Sequence, residues 1–409
     1  MIVVKVIYYI LTVISLAYVL YFGLTGLFAF KKSKTRIKKF SDKTKFAILI
    51  AARNEANVVG NLVKSLVNQK YDSNLYDIYV LPNNCSDNTA DAAREAGAKV
   101  LDVTVPVKCK GDVLKFAFAQ LEKKDYDAYM VFDADNVVHP DFLHHMNNIY
   151  QSGYICAQGR KDSKNMYDNW VSCSYSLFYS IQNLFFNKAR TNVRMSATIN
   201  GTGFMISKKF IDEVGFNPTT VTEDIELSIW CILNDVPVIY TDDAITYDEQ
   251  PTGFGDSIKQ RTRWSVGIIQ CCKKYNKALF KKAIKDRDKS AMDKVLFNIA
   301  PYTQIISLIP FALLAVMNIR SFSDIGWALL TFDYTTLIAG YFISLAISVY
   351  TLQYYGESVS KALSGIILFI VFILSWIPIN IKCLFTSKKE LKWVPIKHDR
   401  NVDVTELVK

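Results

Sequence analysis

Four carboxylates in two short clusters are the residues of this chain best suited to chemistry. Asp133-Ala134-Asp135-Asn136 directly follows the apolar run Tyr129–Phe132, and Thr222-Glu223-Asp224 directly precedes a helix-period stretch of Ile225, Leu227, Ile229, Trp230 and Ile232. Two acids one residue apart at a strand tip repel each other unless a cation compensates. Hard oxygen ligands suit Mg²⁺ or Mn²⁺, and such ions keep waters and share substrate phosphates. Glu223 and Asp224 read in two ways: as acids complementing the positive end of a helix, or as a site in which Asp224 is a general base. Two further clusters, Arg53-Asn54-Glu55 and Asn83-Asn84-Cys85-Ser86-Asp87-Asn88, also follow apolar runs, and each alone suits a turn or helix cap. Gln260-Arg261-Thr262-Arg263-Trp264 alone suits an interfacial helix with a snorkelling Arg and an anchoring Trp.

The elements that must position these clusters form an alternation. Strand-like runs at Phe46–Ala52, Tyr76–Leu81, Lys99–Val103 and Ala128–Phe132 are separated by helical patterns at Val58–Leu66, Asp91–Ala96 and Asp112–Leu121. This βαβα rhythm predicts an α/β domain with a mostly parallel sheet and helices on both faces. Ligands of such sheets collect at the carboxyl ends of the strands, where the polar clusters fall.

Around this domain the composition changes. Of 409 residues, 51% are hydrophobic and 21% charged, too apolar for a disordered chain and too charged for one made wholly of membrane spans. Val6–Phe30 runs 25 residues without a charge and has no small-residue cleavage site, so residues 1–30 are expected to form an N-terminal transmembrane helix. Residues 31–45 follow as a linker with eight basic residues against one acid, Asp42, which puts that side in the cytoplasm. Residues 46–255 are the expected soluble domain. Residues 256–290 read as basic amphipathic helices lying on an anionic leaflet.

Residues 291–383 hold three uncharged runs, Val295–Ile319, Tyr334–Gly356 and Ala362–Ile381, and residues 384–409 a basic tail. Three late crossings would leave that tail outside, against the charge rule, unless one run, such as the first with its Pro301 and Pro310, is interfacial or re-entrant. The net charge of +10 therefore gathers beside the membrane, and the absence of a recognition motif argues against nucleic acid. Eight cysteines without a CxxC pair or a His at zinc spacing read as reduced cytosolic thiols, with the tandem Cys271-Cys272 either buried or acylated.

In their order along the chain, a strand-end acid and amide pair, DxD, TED, and QxxRW just ahead of terminal spans, these motifs resemble the family 2 glycosyltransferases. The likeness is to the membrane-embedded polysaccharide synthases, relatives of cellulose and hyaluronan synthases, and more narrowly to their bacterial exopolysaccharide branch. It rests on Asn84-Cys85-Ser86-Asp87-Asn88-Thr89, Phe132-Asp133-Ala134-Asp135-Asn136, Asp162-Ser163-Lys164-Asn165, Asp168-Asn169-Trp170, Thr222-Glu223-Asp224-Ile225-Glu226, Thr246-Tyr247-Asp248-Glu249-Gln250-Pro251 and Gln260-Arg261-Thr262-Arg263-Trp264, over about residues 46 to 275. Trp376-Ile377-Pro378-Ile379 and Trp393-Val394-Pro395-Ile396-Lys397-His398 extend it, and within the latter Trp393-Val394-Pro395-Ile396-Lys397 resembles the gating loop of those synthases.

The resemblance implies a GT-A fold, a nucleotide-sugar donor, a divalent cation, Mg²⁺ or Mn²⁺, and inversion at the anomeric carbon. It implies that Asp133 lies against the donor nucleotide, that Asp135 reaches the metal on the diphosphate, and that Asp224, with Glu223 beside it, is the catalytic base. Gln260, Arg263 and Trp264 are implied to close over the diphosphate and hold the terminal sugar of the acceptor. Arg53, Glu55, Asp87 and Lys110 are implied near the nucleotide, and Gly201-Thr202-Gly203 on the acceptor side.

Asn83 departs from the family's usual Asp, which accepts from the uracil imide; Asn accepts through its carbonyl oxygen without a charge, so a UDP-sugar donor is still expected. No segment is left for a cyclic-dinucleotide regulatory module. The expected activity is processive polymerisation of a UDP-sugar at a bacterial plasma membrane, with the polysaccharide passing out between the late spans. Membrane lipids and accessory secretion or regulatory subunits are the further expected partners. The alternative is a single transfer to a membrane lipid acceptor arriving from the bilayer.

Overall fold

Phe46–Ala52 (β1) carries apolar side chains on both faces and is buried almost throughout, as a central parallel strand requires. The computed structural model describes residues 2–318, 334–386 and 400–407, and in it β1 lies between β2 (Tyr76–Pro82) and β4 (Ala128–Asp133), both parallel to it. The register pairs Ala52 with Pro82 and Ala51 with Asp133, so the three carboxyl ends are level. β3 (Lys99–Val100) extends the sheet beside β2. It is shorter than the expected Lys99–Val103 because the ladder ends once Leu101 N–H has reached Val80 O at 2.9 Å.

β5 (Val137–Val138), β6 (Cys156–Ser163), β7 (Phe204–Ser207) and β8 (Ile239–Asp248) complete an eight-stranded sheet of order β3-β2-β1-β4-β7-β6-β8-β5. β7 runs antiparallel to β4 and β6, and β5 antiparallel to β8, while β6 and β8 are parallel. Four of the seven pairings are thus parallel.

Alternation along β1 sends its side chains into two layers. Ile48 and Ile50 pack with Leu62 and Leu66 of α2 (Val59–Val67), together with Ala93 of α3 (Thr89–Glu95) and Leu143 of α5 (Phe142–Gln151). Ala47 and Leu49 pack on the other face with Leu114 and Phe118 of α4 (Lys110–Leu121), Phe210 of α8 (Lys208–Val214) and Leu227 of α9 (Glu223–Leu233). The helices on both faces follow from this period-2 pattern.

The apolar ends are helical. By length and composition, Ile2–Phe30, Leu337–Tyr354 and Leu363–Thr386 could each cross a membrane. The first late run breaks: Lys289–Asn298 and Ala300–Leu314 meet at 54°, and the two qualify only as a pair, a broken span or a re-entrant loop. The N-terminal helix α1 (Ile2–Gly26) is fastened by a buried ion pair. Arg190 of α7 (Ala189–Asn192) lies 3.0 Å from Asp293 of α11 (Lys289–Asn298), and Tyr21 of α1 donates to the same carboxylate at 2.8 Å. The expected gating segment Trp393–Lys397 lies outside the described residues.

The basic stretch expected at 256–290 is one 32-residue helix, α10 (Phe254–Lys285), whose Arg261, Val266, Ile269 and Leu279 are buried against the rest of the protein. Phe280 and Ile284 point outward among its lysines. Cys271 is buried and Cys272 half-buried, and all eight thiols are free.

Candidate active site

The carboxyl ends of β1 and β2 form the first wall. Asn54 and Asn84 take left-handed backbone conformations, φ 57° and 49°, which Asn tolerates better than other side chains, and the chain turns sharply after each strand. Arg53 Nε donates to Asn83 O at 3.3 Å, and Asn54 Oδ1 accepts from Ser86 N–H at 2.8 Å. Asp87 accepts from Thr89 Oγ1 at 2.5 Å and Ala56 N–H at 3.1 Å, while Glu55 N–H donates to Thr89 Oγ1 at 2.9 Å. Desolvation pushes the Asp87 carboxyl up, but these donors outweigh it and hold it below the usual carboxylate range. Asn83 is buried and gives its Nδ2 to Ala52 O at 2.9 Å, leaving its carbonyl oxygen as the acceptor.

The second wall joins the end of β4 to the Gly201–Gly203 loop. Lys110, the first residue of α4, places Nζ 2.5 Å from Asp133 Oδ1 and 2.7 Å from Gly201 O. Asp133 N–H donates to Thr202 Oγ1 at 3.0 Å, and Thr202 in turn donates to Asn136 Oδ1. Gly201 has φ +79°, and a Cβ there would stand 3.4 Å from Asp224 Oδ2, so the Asp224 carboxylate lies against the residue whose carbonyl Lys110 holds. Desolvation pushes Asp133 up, yet Lys110, Lys161 and Arg263 together hold it below its ordinary value. Desolvation and then the adjacent Asp224 push Glu223 up to about 7. Asp224 is raised as well, by desolvation acting against the Ile225 N–H and the charge of Lys110. Asp135 is buried.

The third wall is α10. Arg263 acts on both Asp133 and Glu223, so the helix faces the same crevice. Gln260, nearly one turn earlier, has a buried Oε1 without a hydrogen-bond partner among the described residues. Gly267 lets α10 meet the TED loop, because a Cβ there would stand 2.2 Å from Thr222 Oγ1. The other half of the motif faces away. Arg261 is fully buried and donates to Phe372 O at 2.9 Å and Ser375 Oγ at 2.7 Å. These residues lie at the junction of the helices Leu363–Leu374 and Trp376–Thr386. Trp264 stacks with Trp376 of the second of these at 6.2 Å and with Phe178 of α6 (Trp170–Ile181) at 6.5 Å.

Arg53, Asn83, Asp87, Lys110, Asp133 and the Gly201–Gly203 loop thus gather at the carboxyl ends of β1, β2 and β4, with Arg263 of α10 alongside, and Trp264 lies in an aromatic cluster with Phe178 and Trp376. A family model for glycosyltransferase-like family 2 matches residues 44–267, more than half of the chain. The chain belongs to that family. Among its relatives is a beta-monoglucosyldiacylglycerol synthase of Trichormus variabilis, 26% identical over 67% of this chain, which spans 59% of the relative's length. The probable glycosyltransferase YdaM of Bacillus subtilis is 25% identical over 85% of this chain and 86% of its own. A poly-beta-1,6-N-acetyl-D-glucosamine synthase of Staphylococcus aureus is 23% identical over 54% of this chain and 53% of its own. The solved mannosyltransferase PcManGT of Pyrobaculum calidifontis, in complex with GDP-Man and Mn²⁺, superposes with a TM-score of 0.61 at 15% identity, over 88% of this chain and 98% of that one. The α/β domain of this glycosyltransferase has the GT-A fold.

Several residues that hold the site together carried no assigned role in the sequence. Asp248, at the end of β8, accepts from Asn136 Nδ2 at 2.8 Å and Gln250 Nε2 at 3.1 Å and pairs with the buried Lys161 at 2.7 Å. Glu226 is fully buried and accepts from Thr219 N–H at 2.8 Å, from Thr220 N–H and Oγ1 at 2.9 Å each, and from Tyr275 of α10. It thereby ties the loop before the TED residues to the helix carrying Arg263. Only an acid one turn inside an apolar helix, Glu226 in Thr222-Glu223-Asp224-Ile225-Glu226, could have marked it.

Proposed function

We propose that this protein is an inverting, nucleotide-sugar-dependent glycosyltransferase that builds its product at the membrane, and that its reaction is processive polymerisation of a UDP-sugar. The observation that carries the transfer reading is the convergence at Gly201, where Lys110 joins Asp133 to the loop and Asp224 lies against the same residue. A donor held at Asp133 then presents its anomeric carbon to an acceptor held beside Asp224.

Each residue has a derived task. With its Nδ2 given to Ala52 O, Asn83 has its carbonyl oxygen as the group that would accept a base N–H, which keeps uridine as the favoured donor nucleoside. Lys110 and Arg263 bring positive charge to the diphosphate, and the planar fork of Arg263 suits phosphate oxygens. Among the described residues no three Asp, Glu, His or Cys side chains form a ready metal cage. The buried Asp135 sharing Mg²⁺ or Mn²⁺ with diphosphate oxygens fits that donor set, and the ion would neutralise charge on the leaving diphosphate. Asp224, raised in pKa, takes the proton of the acceptor hydroxyl as its oxygen forms the new bond to the anomeric carbon, and the bond to the UDP oxygen breaks with its electron pair leaving on UDP. One displacement inverts that carbon. No carboxylate nucleophile is required.

Processivity is supported by the fastening of the motif helix to an apolar helix through Arg261 and Trp264, which sets the acceptor side next to the candidate membrane segments. The exopolysaccharide branch and the export of product between the late helices belong to this reading. The lipid-acceptor alternative is favoured by a different observation, the likeness to monoglucosyldiacylglycerol synthases. Full-length enzyme supplied with radiolabelled UDP-sugars distinguishes them. A hydrolase-sensitive polymer supports the first, and one sugar per lipid molecule excludes it.

A further inference from the structure

Of the lysines at the strand ends, Lys110 and Lys161 are committed: Lys110 Nζ lies 2.5 Å from Asp133 Oδ1 and 2.7 Å from Gly201 O, and Lys161 Nζ lies 2.7 Å from Asp248. Lys164 is different. Its Nζ is buried and has no hydrogen-bond partner among the described residues. Its backbone is fixed at the end of β8, with Lys164 N–H donating to Asp248 O at 2.9 Å. The next residue locks the same spot, Asn165 Oδ1 accepting from Gln250 N–H at 2.8 Å and Asn165 Nδ2 donating to Gln250 O at 2.9 Å. The ammonium lies in the field of Asp135, Glu249, Asp248 and Glu55. It is therefore on the side of the crevice where Asp135 would meet a donor.

A buried ammonium with three unserved N–H groups is costly, and nearby carboxylates out of hydrogen-bond reach do not satisfy them. A nucleoside diphosphate entering this acidic corner brings the oxygens the ammonium lacks and needs the charge it carries. We propose that Lys164 is a donor-binding residue whose ammonium hydrogen-bonds the diphosphate of the nucleotide sugar. This rests on the reading of the crevice as a nucleotide-sugar site.

The test uses full-length enzyme in lipid nanodiscs, titrated calorimetrically with UDP, GDP and uridine in the presence of Mn²⁺. Lys164→Met is expected to weaken nucleoside diphosphate binding roughly 10- to 100-fold, the loss of one charged hydrogen bond, with uridine binding unchanged. Lys164→Arg, which keeps the charge, is expected to recover part of that affinity. Removing a buried, unpaired charge should leave the ligand-free melting temperature of Lys164→Met equal or higher, so weaker binding cannot be put down to misfolding. Unchanged diphosphate binding by Lys164→Met, or an equal loss of uridine binding, would overturn the proposal. So would tighter Mn²⁺ binding without nucleotide at unchanged UDP affinity, measured by electron paramagnetic resonance, which would make Lys164 a placeholder cation. Wild-type preference for GDP would sink the uridine reading alone, and the Lys164 comparison would then stand on GDP.

Discussion

At the scale of single residues, Asp224 and Asp135 are asked to do different things and should fail differently. Asp224→Asn keeps the shape and the Ile225 N–H contact but cannot take a proton, so kcat should fall on the order of 10²- to 10⁴-fold while UDP binding by calorimetry is retained. Asp135→Ala should instead weaken donor binding measured with Mn²⁺ and leave the small metal-free binding unchanged. The Glu223 and Asp224 pair sets the pH dependence. Both carboxyls are raised, and a base works only when deprotonated, so kcat/KM should already decline on acidification at a pH above the ordinary carboxylate range. Glu223→Gln removes the neighbouring charge and should move that acidic limb to lower pH in a pH-rate profile; an unmoved limb would separate the two groups. These acids were legible in sequence because each follows or opens an element, and local pattern is enough to show that. Asp248 was not legible as a hub, because it meets Asn136 across 112 positions and no local rule pairs them.

At the scale of elements, the site depends on how closely α10 approaches the loop ahead of α9. Gly267→Ala would drive a methyl to within 2.2 Å of Thr222 Oγ1, so helix and loop must part. The expected cost is about 1–3 kcal/mol of stability, seen in the melting temperature, with kcat lowered more than the KM for donor is raised. The parallel core β1, β2 and β4 was readable because each strand is a run of six or seven mostly apolar residues bounded by turn formers. β5 has two residues and β7 four, too short to carry a period, and β6 (Cys156–Ser163) is polar over most of its length, with Lys161 paired to Asp248 and Arg160 paired to Asp162. The second half of the sheet was therefore hidden by short strands and by ion pairs that only the fold brings together.

At the scale of the whole molecule, the catalytic domain and the apolar helices are joined by charged side chains withdrawn from water. Asp293→Ala would leave Arg190 buried, 1% exposed and without its carboxylate, and should cost about 3–5 kcal/mol, read as a lower melting temperature of detergent-extracted enzyme. Sequence showed where the apolar runs lie and that Pro301 and Pro310 mark the first late run as irregular, and the 54° bend between Lys289–Asn298 and Ala300–Leu314 falls in that run. It did not show that Arg261, inside the motif read for its phosphate contacts, would be spent on Phe372 O and Ser375, since a helix face is chosen by what packs against it.

The most direct measurement is sugar transfer by purified full-length protein in nanodiscs, with a panel of radiolabelled UDP-sugars, Mg²⁺ or Mn²⁺, and a chelator control, comparing wild type with Asp224→Asn. The expected result is label moved from a UDP-sugar into product by the wild type only, and lost on chelation. Undiminished transfer by Asp224→Asn, or no transfer from any UDP-sugar by the wild type, would contradict the account.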